Sequence, residues 1–270
     1  MPSSSPERVT RYIATRKHKV RSEDNVSDAR ITMLEEAMAN MLPPQDSMLC
    51  DGWLLRFTPG KSLNPNSVWS LYPGDESTER KIEFCERQYA DRGLVCSFRL
   101  TEGANQESIE DILMHRGYRV HNPNQVLTNP SLGNYQEEVE EIDLEGWLET
   151  IGSIDPDMPS KTIEIKRGPL SRITLPAWYG LVSQDGQPCT YGRAVQQDDL
   201  FQLAELWTSP TLRSRGLGTR LIHGLLKLGI GAGATTAFMP VSLTNHGARR
   251  LYDRLGFKGV YDFRYLIPST

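Results

Sequence analysis

Hydrophobic and polar positions follow two different periods along the second half of the chain. The run from Phe201 to Trp207 alternates with a period of two, which predicts a strand. Some ten residues later, apolar residues recur three and four positions apart, which predicts one buried face of a helix that begins at about Leu217. The residues on this face are Leu217, Leu221, Ile222, Leu225 and Leu228.

The same patterns predict the other elements of the second half. A Gln-Asp-Gly-Gln turn at 184–187 lies between two alternating segments and indicates a hairpin. The remaining predicted elements are helices over 144–154 and 161–173, hairpin strands over 178–182 and 189–195, a helix from Asn245 to Gly256, and strands over 234–241 and 258–267.

The first half has fewer long apolar runs but a comparable series of elements. It predicts a helix over 31–41 that ends before two prolines, strands over 52–57 and 67–71, a helix over 79–89, a strand over 95–100, a helix over 108–115, and a strand that ends near 127. A turn-forming segment at 129–133 and an acidic run over 137–149 place a boundary near residue 135. The expected units are a flexible basic arm over 1–28, a domain over 29–135 and a domain over 136–270.

The loop between the predicted strand and helix of the second half has the pattern of an anion site. Residues 213–218 read R-x-x-G-x-G. The first backbone N–H groups of the following helix have no partner inside the helix, and the positive end of the helix dipole favours an anion there. Gly216 and Gly218 have no Cβ to obstruct a phosphate, and Arg213 and Arg215 add positive charge. The pattern is also compatible with an ordinary basic strand-to-helix turn.

A second motif follows about thirty residues later. Residues 245–257 read N-x-x-A-x-x-L-Y-x-x-L-G-F, where Thr244 or Asn245 can cap the helix and Gly256 can end it. Tyr252 shares a helix face with apolar residues, so one interpretation is a core aromatic with its hydroxyl at the rim. A second interpretation of Tyr252, as a functional residue, follows when the two motifs are taken together.

The two motifs together resemble the GNAT superfamily of N-acetyltransferases. The resemblance implies that the R-x-x-G-x-G loop binds acetyl-CoA, that a bulged strand before it holds the pantetheine arm, and that Tyr252 protonates the leaving thiolate. The residues expected to bind acetyl-CoA are Leu206, Trp207, Thr208, Arg213, Ser214, Arg215, Gly216, Leu217, Gly218, Thr219, Asn245 and Tyr252.

The general base is the position at which the sequence departs from the family. Some members carry a glutamate early in the strand before the loop, and Gln202 stands there in this chain. An amide cannot act as a base. Glu205 is the nearest carboxylate on the strand and is the candidate, although strand alternation places it on the opposite side from Gln202. Asp198 and Asp199, in the turn before the strand, are other possibilities. Deprotonation of the amine through water, with Tyr252 as the acid, is the working hypothesis.

The resemblance extends to the first half in weaker form. The stretch from Ile112 to Tyr118 echoes the L-Y-x-x-L-G-F ending, but no R-x-x-G-x-G occurs in residues 1–130. We therefore expect a tandem α/β protein with two GNAT-like domains. Each would be a mixed, mostly antiparallel twisted sheet flanked by helices, and a splayed parallel strand pair would hold CoA in the C-terminal domain alone. A first domain of unrelated fold is the alternative.

Composition limits the location and the partners. The 270-residue chain has a formal net charge of −4, which argues against a dedicated nucleic-acid binder. No apolar run approaches the roughly 20 residues that cross a bilayer, and no secretory signal is evident, so a cytoplasmic protein without membrane association is expected. The four cysteines, Cys50, Cys85, Cys96 and Cys189, have neither zinc-site nor disulfide spacing. No metal is expected, and the chain is expected to be a monomer or homodimer.

These observations predict acetyl transfer from acetyl-CoA directly to the amine of a small molecule, such as an amino acid, an amino-sugar drug or a toxin. Two alternatives stay open. One is acetylation of a protein or peptide, which would need an open groove. The other is an acyl-CoA sensor or interaction protein without catalysis, which the missing carboxylate at position 202 would suit.

Overall fold

The computed structural model describes residues 28–60, 62–102 and 106–269, and the predicted arm over 1–28 falls outside this range except for Asp28. The first half contains helices α1 (Asp28–Asn40), α2 (Thr78–Ala90) and α3 (Gln106–His115), and strands β1 (Asp46–Cys50), β2 (Trp53–Phe57), β3 (Val68–Ser70), β4 (Phe98–Thr101) and β5 (Tyr118–Asn129).

The second half contains strands β6 (Glu140–Ile142), β7 (Ala177–Gln184), β8 (Gln187–Gln197), β9 (Leu200–Thr208), β10 (Thr236–Ser242) and β11 (Lys258–Pro268). Its helices are α4 (Leu144–Ile154), α5 (Ser160–Ser171), α6 (Leu217–Gly231) and α7 (His246–Arg254), and a short 3₁₀ turn spans Pro210–Leu212. Every predicted element forms. Strands β1 and β6 were not predicted, and β6 lies inside the acidic run that the sequence indicated as a connector.

The described strands form one eleven-stranded mixed sheet in the order β1-β2-β3-β4-β11-β5-β10-β9-β8-β7-β6. The last strand of each half is inserted into the other half. Strand β11 lies between β4 and β5, and β5 lies between β11 and β10, with antiparallel pairing throughout. The two halves therefore share a continuous sheet, and the boundary near residue 135 stays a prediction from the sequence.

Each half repeats one arrangement of strands and helices. In the first half, β3 and β4 are parallel, α2 connects them, and α3 leads to β5. In the second half, β9 and β10 are parallel, α6 connects them, and α7 leads to β11. We call the first arrangement (β3-α2-β4-α3) the N unit and the second (β9-α6-β10-α7) the C unit. The repetition confirms the predicted pair of similar α/β domains.

The helices of the second half cover both faces of the sheet. Helices α6 and α7 pack on one face, where the apolar residues of α6 contact Phe201 and Leu203 of β9. The contact is close, because a Cβ on Gly229 of α6 would lie 2.7 Å from the ring of Phe201. Helices α4 and α5 cover the opposite face, on which α1 also lies. Helices thus pack on both faces of the sheet in the C unit.

Within the described residues, no helix is long and apolar enough to cross a membrane. Among the same residues, no group of three or more histidine, cysteine, aspartate or glutamate side chains is arranged to hold a metal ion. All four cysteines carry free thiols, and Cys85, Cys96 and Cys189 are buried.

Candidate functional site

The parallel strands β9 and β10 separate along their length. They are paired only at their beginnings, from Leu200 opposite Thr236 to Gln202 opposite Phe238. Beyond this point β10 continues to pair with β5, and β9 continues to pair with β8. The edge of β9 that faces β10 from Leu203 to Thr208 therefore has no described strand partner. Backbone groups on that edge are available to a ligand that enters between the strands.

A β-bulge interrupts β9 within this separated stretch. The register of β8 and β9 shifts between the pairs Tyr191–Trp207 and Arg193–Ala204, and Glu205 adopts a φ of 53°. A bulge with one residue in the left-handed region bends its strand and interrupts the alternation of side chains. It therefore changes the direction of every side chain that follows it in β9.

The loop after β9 leads into α6 through two residues in the left-handed region. Ser214 has a φ of 63° and Gly216 has a φ of 80°. Gly216 is the N-cap of α6, and no side chain caps the helix. The space around Gly216 is open, because nothing lies within 4 Å of the Cβ that another residue would carry there. The first N–H groups of α6 therefore lie beside an exposed loop without a side-chain acceptor.

The arginines of this loop are exposed. Arg213 donates from Nε to the carbonyl oxygen of Thr208 at 3.2 Å, which ties the loop to the end of β9. Among the described residues, neither Arg213 nor Arg215 forms an ion pair. Gly218, in the first turn of α6, stands close to two side chains, since a Cβ there would lie 3.5 Å from Leu251 and 3.6 Å from Thr208. The loop therefore presents two exposed arginines beside an uncapped helix start, and anion binding there stays a prediction.

Helix α7 carries the second motif and begins as predicted. Asn245 is its N-cap, and its side-chain oxygen accepts from the backbone N–H of Ala248 at 3.1 Å. Tyr252 lies in the core cluster that α6 and α7 share, and its ring meets Phe257 edge-on at 6.3 Å. Its side chain is only 8 % exposed. Burial raises the pKa of Tyr252 to about 12, so the phenol keeps its proton at neutral pH.

The other predicted residues of β9 point to both faces of the sheet. Leu206 packs on the α6 side and fills the space above Gly192, where a Cβ would lie 2.6 Å from it. Trp207 stacks on Tyr191 with ring centres 5.2 Å apart, and the hydroxyl of Tyr191 donates to Asp155 at 2.6 Å. Leu217 and Thr219, in the first turn of α6, are half-buried. The predicted cofactor residues of β9 and the glycine loop therefore follow one another from the end of β9 into the beginning of α6, whereas Asn245 and Tyr252 lie on α7.

Glu205 lies in an ion-pair cluster that the sequence did not indicate. Its carboxylate contacts Lys166 of α5 and accepts from Nε of Arg193 at 3.0 Å. Burial opposes ionisation of the carboxyl group, but the charges of Lys166 and Arg193 outweigh it and lower the pKa of Glu205 to about 2. A carboxylate with such a low pKa accepts a proton poorly at neutral pH, so this environment disfavours Glu205 as the general base.

The bulge also changes which face Glu205 uses. Strand alternation predicted that Glu205 and Gln202 lie on opposite sides, and this was wrong. Gln202 is opposite Val195, and Arg193 lies on the same face of β8 as Val195 because the two residues are two positions apart. The carboxylate of Glu205 reaches Arg193 on that face. An inserted bulge residue shifts the alternation by one, and no hydrophobic pattern in the sequence reports it.

The acidic run is tied to neighbouring helices. Glu137 lies 3.0 Å from the ring of His223, and Glu138 lies 3.3 Å from Lys227, both on α6. Glu140 and Glu141 are exposed on β6, at the edge of the sheet. Charged side chains on an edge strand discourage pairing with other chains. Much of the run therefore pairs with helices or covers an edge.

The second half of the chain matches a known protein family in sequence, and the chain resembles solved structures in fold. Residues 141–257 match the model of the acetyltransferase (GNAT) family. The match runs from β6 through α4 to α7 and includes the whole C unit. A comparison with curated proteins returns no match.

Several solved structures share the fold of almost the entire chain. A GCN5-related N-acetyltransferase from Kribbella flavida is 17 % identical, covers 90 % of this chain and 96 % of its own, and has a TM-score of 0.67. A tandem GNAT protein from the clavulanic acid biosynthesis pathway is 11 % identical, covers 100 % and 98 %, and has a TM-score of 0.60. A putative GNAT acetyltransferase from Novosphingobium aromaticivorans is 15 % identical, covers 83 % and 92 %, and has a TM-score of 0.53. These likenesses concern the fold, including its tandem architecture.

Proposed function

We propose that the chain is an acetyl-CoA-dependent N-acetyltransferase of the GNAT family, whose model matches residues 141–257, and that its C unit transfers acetyl to the amine of a small molecule. The observation that carries the proposal is the geometry at the start of α6. There, an exposed glycine loop in the left-handed region meets an uncapped helix beside two separated strands.

The residues of the C unit fit acetyl-CoA. The uncapped N–H groups of α6 and the side chains of Arg213 and Arg215 would hold its pyrophosphate. The unpaired edge of β9 would accept the pantetheine arm, alongside Leu206, Trp207 and Thr208. Acetyl-CoA supplies the activated acetyl group as a thioester.

Tyr252 is proposed as the proton donor. A thiolate leaving group needs a proton, and the raised pKa of Tyr252 keeps a phenolic proton available at neutral pH. The residue belongs to the same helix whose N-cap, Asn245, is among the residues proposed to contact the cofactor. Tyr252 lies in the packed cluster of α6 and α7, so its ring is held in position.

Water is proposed to take the proton from the amine. A typical alkyl ammonium has a pKa near 10, so the amine must lose a proton before it can attack. Gln202 cannot accept this proton, and Glu205 is stabilised as an ion by Lys166 and Arg193. We propose that Glu205 instead anchors the bulge to α5 and keeps the unpaired edge of β9 in place.

The first half supports a small acceptor because it contacts α5, the helix that carries Lys166 to the bulge. Gly60, in the segment between β2 and β3, is so close to α5 that a Cβ there would lie 3.0 Å from the side chain of Ile165. Arg56 donates to the carbonyl oxygen of Leu42, whose side chain packs into the cluster of α4 and α5. Ile165 is the neighbour of Lys166, which contacts Glu205. This contact between the first half and α5, next to the bulge, favours a small amine over an extended peptide.

The test is release of free thiol from acetyl-CoA by the full chain. The acceptor panel contains amino acids, aminoglycosides, polyamines, aminoacyl nucleotides and short peptides. Turnover on one class of small amine supports the proposal. Turnover on peptides alone would replace it with protein acetylation. Calorimetric binding of acetyl-CoA without turnover on any acceptor would favour a sensor, and the lack of any binding would refute the assignment of the glycine loop.

A further inference from the structure

A cavity of about 370 Å³ lies in the N unit, at the carboxyl ends of its two parallel strands. Ser70 and Leu71 line it after β3, Thr101 lines it from β4, and Thr78 lines it from the first turn of α2. Its place in the N unit corresponds to the place proposed for acetyl-CoA in the C unit, because both lie where parallel strands end and the connecting helix begins. Its volume is within the usual range for small-molecule pockets.

The chemistry at the helix end is the reverse of that in the C unit. Ser77 caps α2 and accepts from the N–H of Arg80 at 3.4 Å, so the helix end already has a side-chain acceptor. Glu76 and Glu79 flank the cap, and the segment between β3 and α2 contains no R-x-x-G-x-G. A pyrophosphate placed here would face carboxylates. The cavity is therefore poorly suited to the ligand proposed for the C unit.

The buried charges in the wall of the cavity balance one another. Arg99 forms a two-pronged pair with Glu35, with distances of 2.6 and 2.7 Å, and both side chains are almost fully buried. Lys81 lies 3.2 Å from the carboxylate of Asp51. Neither cation is left to attract an anionic ligand, because each already has a carboxylate partner.

The outer wall adds negative charge and aromatic surface. Asp28 and Glu76 both line the cavity and are exposed. Asp28 forms no ion pair with a described residue, and Glu76 forms a solvent-exposed pair with Arg80 at 3.4 Å. Trp53 and Trp69 also line the cavity, but both are almost fully buried, and Lys81 and Arg99 already lie over their rings at 4.7 and 4.3 Å. Tyr72 lines the cavity too and is 42 % exposed. Carboxylates attract a cation, and the exposed ring of Tyr72 can contact both its charge and its carbon framework.

We propose that this cavity is a second ligand site and that it binds an organic amine carrying an apolar or aromatic group. The site is distinct from the one in the C unit. Strands β3 and β4 are separated from β10 and β9 by β11 and β5, which places the two clefts about 19 Å apart at a strand spacing of about 4.8 Å. The proposal concerns binding alone and goes beyond the transfer reaction proposed for the C unit.

The test is calorimetric titration of the full chain with three probes of one shape, phenethylamine, phenethyl alcohol and 3-phenylpropionate. We expect the amine to bind with one site per chain and the neutral and anionic probes to bind at least about tenfold more weakly. In a double variant carrying Asp28→Asn and Glu76→Gln, the Kd for the amine should rise about tenfold. Glu79→Gln removes the same charge from the first turn of α2 outside the cavity and should leave the Kd unchanged.

The same titration separates this site from the C unit. Binding should persist in the Gly216→Val variant and in the presence of saturating acetyl-CoA. A failure of acetyl transfer would leave this result unaffected. Three outcomes would overturn the proposal: equal affinity for the alcohol, an unchanged Kd in the double variant, or a second equivalent of bound acetyl-CoA that survives Gly216→Val. Thermal unfolding of each variant verifies that the chain is still folded.

Discussion

The N unit and the C unit have the same order of strands and helices, but they differ at the three points where chemistry would occur. In the C unit, α6 begins at Gly216 without a side-chain cap, whereas in the N unit Ser77 caps α2. In the C unit Tyr252 follows Leu251, whereas the echo of this motif in the N unit has Leu113 at the tyrosine position. The third point is the bulge at Glu205, where β9 separates from β10.

The comparison shows that a fold can keep its packing while its site is changed. Leu113 is completely buried and fills its place in the core as the ring of Tyr252 does, but it has no proton to donate. Gly117 and Gly256 both end their helices with a φ of 85°. Helix-ending glycines and core positions are therefore common to both units, because packing requires them in each. The side-chain cap of the connecting helix, the glycine loop before it and the tyrosine hydroxyl differ between the two units, because only a reaction or a ligand requires them.

Among the substitutions that test this comparison, removal of the Tyr252 hydroxyl should have the largest effect on turnover. Tyr252→Phe should lower kcat about 100-fold, the scale of a lost general acid, and should change the affinity for acetyl-CoA little. Steady-state kinetics and calorimetry measure the two quantities. Tyr118→Phe is the matched control in the N unit, since it removes a hydroxyl that donates to Glu86 at 3.1 Å. An unchanged kcat in Tyr252→Phe would make this tyrosine a core residue like Leu113.

A side chain at the glycine loop should have the next largest effect. Gly216→Val should raise the KM for acetyl-CoA about 30-fold, because a β-branched residue is strained at a φ of 80° and the loop must move away from the start of α6. Gly233→Val is the control, because Gly233 has a φ of 93° in equally open space just beyond α6. Equal effects of the two substitutions on KM would assign the loss to general strain and not to the anion site.

The ion-pair cluster at the bulge should make stability depend on acid pH. The pKa of Glu205 is lowered to about 2 in the folded chain, so its contribution is complete above the ordinary carboxyl pKa of about 4.5 and is lost as the pH falls from there towards 2. The shift corresponds to a loss on the order of 3 kcal/mol in the free energy of unfolding.

Denaturant unfolding at a series of pH values measures this loss. Glu205→Gln should be less stable than the natural chain at neutral pH and should lose less stability between pH 4.5 and pH 2. Glu164→Gln, an exposed position on the same helix as Lys166, should retain the full pH dependence. If Glu205 is the general base instead, Glu205→Gln will abolish turnover at every pH, and water-relayed deprotonation will be wrong.

Loss of the cap in the N unit should have the smallest effect. Ser77→Ala should lower the free energy of unfolding by about 1 kcal/mol, the usual cost of a lost N-cap, and should leave the KM for acetyl-CoA unchanged. Thermal unfolding and steady-state kinetics measure these quantities. An altered KM would show that the two units are coupled more closely than their separation in the sheet suggests.

Much of the C unit could be predicted from the sequence because its determinants are local. The turn at Asp185 and Gly186 forms with φ values of 52° and 74°, as expected for a tight hairpin. Asn245 caps α7 by accepting a hydrogen bond from the residue three positions later. Leu217 begins α6 directly after the glycine that allows the turn. Helix faces, caps and glycine turns depend on neighbours in the chain, so a single sequence contains the information.

The partners of the strands were decided only by the tertiary structure. Alternation predicted β5 and β11 as strands, but it could not indicate that each would be inserted into the other half, since any strand edge offers the same backbone groups. The short strands β1 and β6 were missed for a related reason, because their side chains are largely exposed and show little hydrophobic pattern.

The charges that surround each ionisable group were also decided by the tertiary structure. Lys166 lies far from Glu205 in sequence, and Arg193 lies on the neighbouring strand β8. The three charges meet only because α5 packs against the bulge. In the N unit, Glu35 and Arg99 are 64 residues apart and meet in the wall of the cavity. The sequence alone determined which residues could bind a phosphate or donate a proton. Which charges are neutralised was determined by the tertiary structure, because the pKa of a group depends on neighbours in space.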